Sequence, residues 1–336
     1  MAVMKRSWLV LTAASLVLSL AVPVLYGGMD SIRAASTVPA GTILLVVSMI
    51  FGCWLFNAAR IRLLVHALGG RLGVRAAVAI VMASEFAGVA TPAGAGNPAT
   101  YLLLLSRQGL PVSSGAAVIA VDQFMDLVFF ASAVPIAIAL FVLQGGISHP
   151  IRVIWLIVVL FLAGVTVLIL VLRNYRSLVL AAGRLVQRLP RLRRFRFRMA
   201  RGVLGFRNSV RVLLQMGPGR LLLLYLFCLA HWLLRYGVLP VVVMALDKAV
   251  PWGYLFVMQG VLLFIGHVTV LPGGGGGVEV GFSALLTPYM GATATAAALL
   301  LWRFGTFYFY LIAGAPVFMV ATGRAAGRLM RAQGDH

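Results

Sequence analysis

The chain has 336 residues, 62% of them hydrophobic and 10% charged, with a mean hydropathy of +1.03 and a formal net charge of +21. A soluble domain carries about 25% charged residues, so this composition excludes an ordinary soluble fold and leaves no room for a soluble catalytic domain. Cys53 and Cys228 fall inside apolar runs and read as small packing residues, which excludes a disulfide framework or a cysteine metal site.

A helix needs ~20 mostly apolar residues to cross a bilayer. Lys5 and Arg6 precede the first such run, Trp8 to Tyr26, which has no small-x-small cleavage site and reads as an uncleaved signal anchor leaving the cytoplasm. Gly41 to Ala59 returns and delivers Arg60, Arg62, Arg71 and Arg75 to the cytoplasm. Region 76–143 does not fit a simple count of spans, and it ends on the apolar stretch Ser113 to Leu143. Gln144 to Pro150 has no Lys or Arg and fits the outside. Ile151 to Leu172 then returns to a basic cytoplasmic loop, 173–220, with thirteen arginines, no lysine and no acidic residue. Spans on both sides make that loop a topology signal and a surface for anionic headgroups, not a nucleic-acid site. Leu221 to Leu246 goes out, and Asp247, Lys248 and Pro251 lie in a short external loop. Gly253 to Leu271 and Gly291 to Val320 follow, and Arg324, Arg328 and Arg331 place the C-terminus inside. The expectation is an all-α polytopic membrane protein, a single transmembrane domain over 1–336, in a bacterial inner membrane with both termini cytoplasmic.

Regions 76–143 and 253–320 share a pattern at an offset of 180 residues. TPAGAGNPATYLLLLSRQG, from Thr91, falls on LPGGGGGVEVGFSALLTPY, from Leu271: Pro92 meets Pro272, Gly94 meets Gly274, Gly96 meets Gly276 and Leu105 meets Leu285. In each, a Pro/Gly break precedes a helix of about fourteen residues, too short to span and suited to a re-entrant arm. The charge map starts the first unit inside and the second outside. This predicts an inverted-topology repeat, the pattern that marks a transporter's central site.

Four of the seven acidic residues, Glu85, Asp122, Asp126 and Glu279, sit in apolar surroundings. A charge at the bilayer centre costs ~2.5 kcal/mol or more, so these need partners, protons or a water-filled cavity. Asp122 and Asp126 are four apart, on one helical face, and form a candidate proton-carrying or charge-balancing pair together with Glu85. A purely structural alternative pairs them with Arg303. His231 and Arg235 also share a face. Arg235 and Arg303 could receive a phosphate, because guanidinium matches it bidentately. His231 alone and His267 read as packing residues. In PGGGGGVE, Gly274 and Gly276 could present backbone N–H groups to an anion beside Glu279, or simply permit a tight turn. No lysine with Ser/Thr follows, so it is not a nucleotide loop.

The run LPGGGGGVE resembles the PGGxGxxE signature of the lysylphosphatidylglycerol synthase transmembrane, or flippase-like, domain family. TPAGAGN, the Asp122 to Asp126 segment and Arg303, two dozen residues after Glu279, extend the resemblance over nearly the whole chain. Where the family typically has a glutamate in the first motif, this chain has Asn97. The resemblance implies lipid translocation or lipid handling. The multiple-peptide-resistance relatives carry an aminoacyltransferase domain after this membrane unit, and that activity is expected to be absent here. The expected function is therefore a lipid translocase for an anionic phospholipid or polyprenyl-phosphate-type lipid, with Arg303, Arg235, Gly274, Gly276, Glu279 and Asn97 at the substrate. The alternatives are a membrane-embedded enzyme acting on a lipid headgroup and a scaffold for an enzyme of a lipid, including hopanoid, pathway. No cofactor and no metal are expected.

Overall fold

The computed structural model describes residues 2–144, 196–269 and 271–334, and side chains over 14–144, 201–269 and 271–323. Among these residues the chain is helical and has no strand. Helix α1 (Ala2–Ser36) bends at Gly28, and α2 (Ala40–Ala67) returns alongside the bundle. Then α3 (Val74–Val89) runs into a 3-10 turn at Pro92–Gly94, α4 (Gly96–Arg107) follows, and α5 (Val112–Leu143) is a full-length helix. The second half repeats the order with α6 (Arg196–Leu214), α7 (Pro218–Ala245), α8 (Trp252–Val268), a 3-10 turn at Pro272–Gly274 and α9 (Gly277–Met290). It ends on α10 (Ala292–Arg303), a π turn at Phe304–Tyr308 and α11 (Phe309–Gly334).

Among the described residues five stretches are long and apolar enough to cross a membrane: Ala14–Ser36, Ala40–Ala67, Val112–Leu143, Pro218–Ala245 and Ala292–Gly323. Their outer faces expose Leu25, Leu44, Leu143, Ile312 and Met319, which water would not favour and lipid tails accept. This is an all-α polytopic, multi-pass membrane protein.

Several expected boundaries change. Gly253 to Leu271 is not a complete crossing, because α8 has 17 residues and stops at the second turn. At 1.5 Å per residue α8 reaches about 26 Å and α9 about 21 Å, both short of a bilayer core of about 30 Å. The first pair, α3 and α4, is shorter still. Each pair is a hairpin whose arms pack together, α3 on α4 and α8 on α9. The basic stretch expected as a loop over 173–220 is helical in its described part: α6 packs along α5, with Ser209 bonded to Ser114 at 3.1 Å. The span at Ile151 to Leu172 lies outside the described residues, as does the rest of that stretch.

The repeat is wider than the glycine motifs indicate. Val112–Leu143 and Ala292–Gly323 are both 32 residues long and 180 residues apart. Helices α2 and α7 are both 28 residues long, 178 residues apart, and pack on each other. Phe56 meets Phe227, Gly52 faces Leu234 and Gly237 faces Met49, so the two helices run antiparallel. Equivalent contacts come in pairs: α1 packs on α10 as α6 packs on α5, and α3 packs on α11 as α8 packs on α5. Two equivalent helices that cross antiparallel define a pseudo-two-fold axis perpendicular to their length, as an inverted-topology repeat requires.

Candidate functional site

The two 3-10 turns are the tips of the hairpins, and they touch each other where the halves meet. Their geometry matches residue by residue. Gly94 N donates to Thr91 O at 3.2 Å and Gly274 N to Leu271 O at 3.0 Å; Ala95 N donates to Pro92 O and Gly275 N to Pro272 O. The second and third residues of both turns are left-handed, with φ of 51° and 70° at Ala93 and Gly94, and 61° and 71° at Gly273 and Gly274. Proline opens each turn with a φ suited to it, and the left-handed pair reverses the chain.

The second tip is packed tightly. A Cβ on Gly274 would strike the Gly266 backbone across the hairpin, and one on Gly273 would enter the Phe307 ring. Ser15 of α1 donates to Pro272 O, and Ser19 pairs with Tyr308 at 2.8 Å. Arg303 Nη1 donates to Gly273 O at 2.9 Å, while its Nη2 lies 2.6 Å from Glu279 Oε1. Glu279 is in the first turn of α9, where a carboxylate meets the positive end of the helix dipole. Arg303 also lies over the Phe307 ring at 5.3 Å. Both charges are buried, Glu279 completely. Arg303, Glu279, Gly274 and Gly276 thus sit together, but Arg303 serves the glycine turn and its own carboxylate. It is not the partner of the aspartate pair.

That partner is Arg60. Its Nη2 lies 2.7 Å from Asp122 Oδ1 and 2.8 Å from Asp126 Oδ1, and donates to Asp122 O at 2.9 Å. Arg60 was expected in a cytoplasmic loop, but α2 continues to Ala67 and buries it to 1% exposure against α5. Asp126 Oδ1 accepts two further bonds from α7, from Trp232 Nε1 at 2.8 Å and from Cys228 Sγ at 3.4 Å. Tyr101 of α4 and Glu85 of α3 lie within electrostatic reach of both aspartates and of Arg60.

Arg235 completes this group from α7. Its Nη1 is 3.7 Å from Glu85 Oε2 and donates to Tyr310 Oη at 3.0 Å, with the guanidinium 5.2 Å above the Tyr310 ring. Of the four intramembrane ion pairs among the described residues this is the loosest, and its side chains remain 19% and 15% exposed. Asn97 packs against Gly88 beside the first tip, where Ala93 and Ala95 are exposed. His231 Nδ1 donates to Cys53 O at 3.1 Å, and His267 Nδ1 to Leu263 O, both packing roles.

The site is therefore two groups on either side of the touching tips. One is sealed, with Arg303 and Glu279. The other is partly open, with Arg60, Glu85, Asp122, Asp126 and Arg235. Sequence reasoning missed Arg60, Tyr101, Trp232 and Tyr310. A signal for Arg60 existed: Ile61, Leu63, Leu64 and Val65 continue the apolar run beyond it.

A curated relative, a UPF0104 membrane protein of Archaeoglobus fulgidus, is 25% identical over 283 residues, covering 82% of this chain and 86% of its own. The family described as lysylphosphatidylglycerol synthase TM region matches residues 10–314, which takes in both hairpins and every site residue named above, and the chain belongs to that membrane-embedded, lipid-related family.

Proposed function

We propose that the protein is a lipid translocase of the bacterial plasma membrane, with both termini cytoplasmic. It moves an anionic phospholipid or polyprenyl-phosphate-type lipid between leaflets and does not change it covalently. The observation that carries this reading is the contact between two hairpin tips, at Pro92–Gly94 and Pro272–Gly274, between inverted halves. Inverted halves can tilt either way about a fixed centre, so a headgroup held there can face each leaflet in turn. The lipid-related family supports a lipid as cargo.

Arg235 supports an anionic headgroup. Glu85 holds it at 3.7 Å, too far for a good charge-assisted bond, so a phosphate can displace the carboxylate and bind bidentately. Asn97 offers an amide beside the first tip. In this reading Arg303 and Glu279 keep the second tip rigid while the open side handles cargo.

The test uses vesicles of phosphatidylcholine and phosphatidylglycerol containing a fluorescent phosphatidylglycerol, with quencher added outside. Protein-containing vesicles are expected to exchange the probe between leaflets faster than empty ones. Equal rates with and without protein overturn the reading for that lipid. A covalently altered lipid in the mass spectrum transfers the case to a headgroup enzyme.

A further inference from the structure

We infer that Asp122 is a reversible proton-binding site inside the membrane region, and that Asp126 beside it is held by fixed hydrogen-bond donors. The use of such a site, to couple lipid movement to proton movement, rests on the translocase reading; the site itself does not.

Hydrogen supply separates the two aspartates. Arg60 Nη2 has two hydrogens and three oxygens within 2.9 Å: Asp126 Oδ1, the Asp122 backbone carbonyl and Asp122 Oδ1. The first two receive aligned hydrogens. Asp122 Oδ1, although nearest at 2.7 Å, is buried and receives no hydrogen bond. Asp126 Oδ1, by contrast, takes bonds from Arg60, Trp232 and Cys228. Three donors leave that oxygen with its hydrogen-bonding capacity filled. The two aspartates are thus chemically different, although their spacing makes them look equivalent.

An independent observation points to the same place. Tyr101 is 6% exposed, and its hydroxyl has no hydrogen-bond partner among the described residues. Asp122 and Glu85 lie within electrostatic reach of that hydroxyl. That hydroxyl is free to accept from a nearby O–H, which a protonated carboxyl supplies and a carboxylate does not.

The surrounding charges agree. Around Asp122 stand Arg60 from α2, Glu85 from α3, Tyr101 from α4, Asp126 on α5 itself and Cys228 from α7, while Arg235 of α7 pairs with Glu85 and His231 lies toward Arg60. Helix α6, which carries Arg201, Arg207 and Arg211, meets α5 at Ser113 and Ser114, more than two turns before Asp122. Helix α8 meets α5 from Phe129 to Phe141 and brings Tyr254. Two arginines therefore face three carboxylates, and a proton from water on Asp122 removes the excess negative charge. The protonated carboxyl gains an O–H donor, and its loss to water restores the carboxylate, with no other bond made or broken. Side-chain exposures of 12% at Asp122 and 15% at Asp126 leave a way in.

The test is infrared spectroscopy of the purified protein in phosphatidylcholine nanodiscs, titrated with pH in potassium and in sodium buffers. A protonated-carboxyl C=O band is expected that disappears in Asp122→Asn and persists in Glu279→Gln. A band that survives Asp122→Asn, or one lost on adding sodium at constant pH, overturns the assignment. If Asp122→Asn does not fold, Tyr101→Phe removes only an unbonded hydroxyl, and the midpoint of the band is expected to move by roughly half a pH unit or more. An unmoved midpoint overturns the proposal. Because no lipid transport is measured, an intact titration with no probe exchange in vesicles would sink the translocase reading alone.

Discussion

Cys53 and His231 hold equivalent positions in α2 and α7, 178 residues apart, and they touch: Cys53 Sγ donates to His231 O, and His231 Nδ1 donates to Cys53 O. A residue in contact with its own counterpart marks the place where the pseudo-two-fold axis passes through the crossing. With Cys228→Ala to remove the other thiol, His231→Cys is expected to form a disulfide with Cys53 on mild oxidation, because the backbones already approach closely. Thiol labelling of the denatured protein should then fall to background. Persistent labelling of both cysteines counts against the antiparallel crossing.

Arg303 and Glu279 form a buried pair, and removing one member leaves the other charged and unmatched. Glu279→Gln and Arg303→Met should each lower stability by ~3–5 kcal/mol, whereas the double variant should recover a large part of the loss. Thermal unfolding in detergent measures this. Additive losses would show that the two side chains act independently.

The two turn tips respond oppositely to the same kind of change. Ala93 adopts a left-handed conformation that costs an alanine roughly 1 kcal/mol, so Ala93→Gly should be neutral or slightly stabilising. Gly273→Ala, at the equivalent place, adds that strain and drives a methyl into Phe307, so a loss of ~2 kcal/mol or more is expected. Equal melting shifts of the same sign in the two variants would contradict the matched geometry.

Arg235 is held by a long ion pair and a stacked tyrosine. Arg235→Ala should therefore slow probe exchange about tenfold or more, which corresponds to a bidentate phosphate contact, while lowering the melting temperature less than Arg303→Met does. Arg235→Lys keeps the charge but not the fork and should restore only part of the rate. A rate unchanged in Arg235→Ala, in protein that melts normally, removes Arg235 from the cargo path.

The breaks in the hairpins were legible because proline and glycine suit their geometry best, and a chain cannot hide Pro92–Gly94 or Pro272–Gly274. The wider repeat was not, since α2 and α7 carry no such marker and share only length and packing. Arg60 was misplaced for a physical reason: an arginine after an apolar run ordinarily marks a cytoplasmic end, and nothing local reports that Asp122 and Asp126 wait for it 62 and 66 residues later. The pairing of Arg303 with Glu279 was equally non-local, although both residues had been singled out. Ion-pair partners follow from packing, which the linear pattern does not contain.

The backbone repeats, but the charges do not. The counterparts of Arg303 and Glu279 in the first half are Gln123 and Ala99, and those of Asp122 and Asp126 in the second are Trp302 and Thr306. A balance with arms of equal length has no preferred tilt until weight is placed on one pan. Here the matched hairpins supply the arms, and two unlike sets of ionisable groups load them unequally, so the two tilts are not equivalent in charge although the architecture alone would make them so.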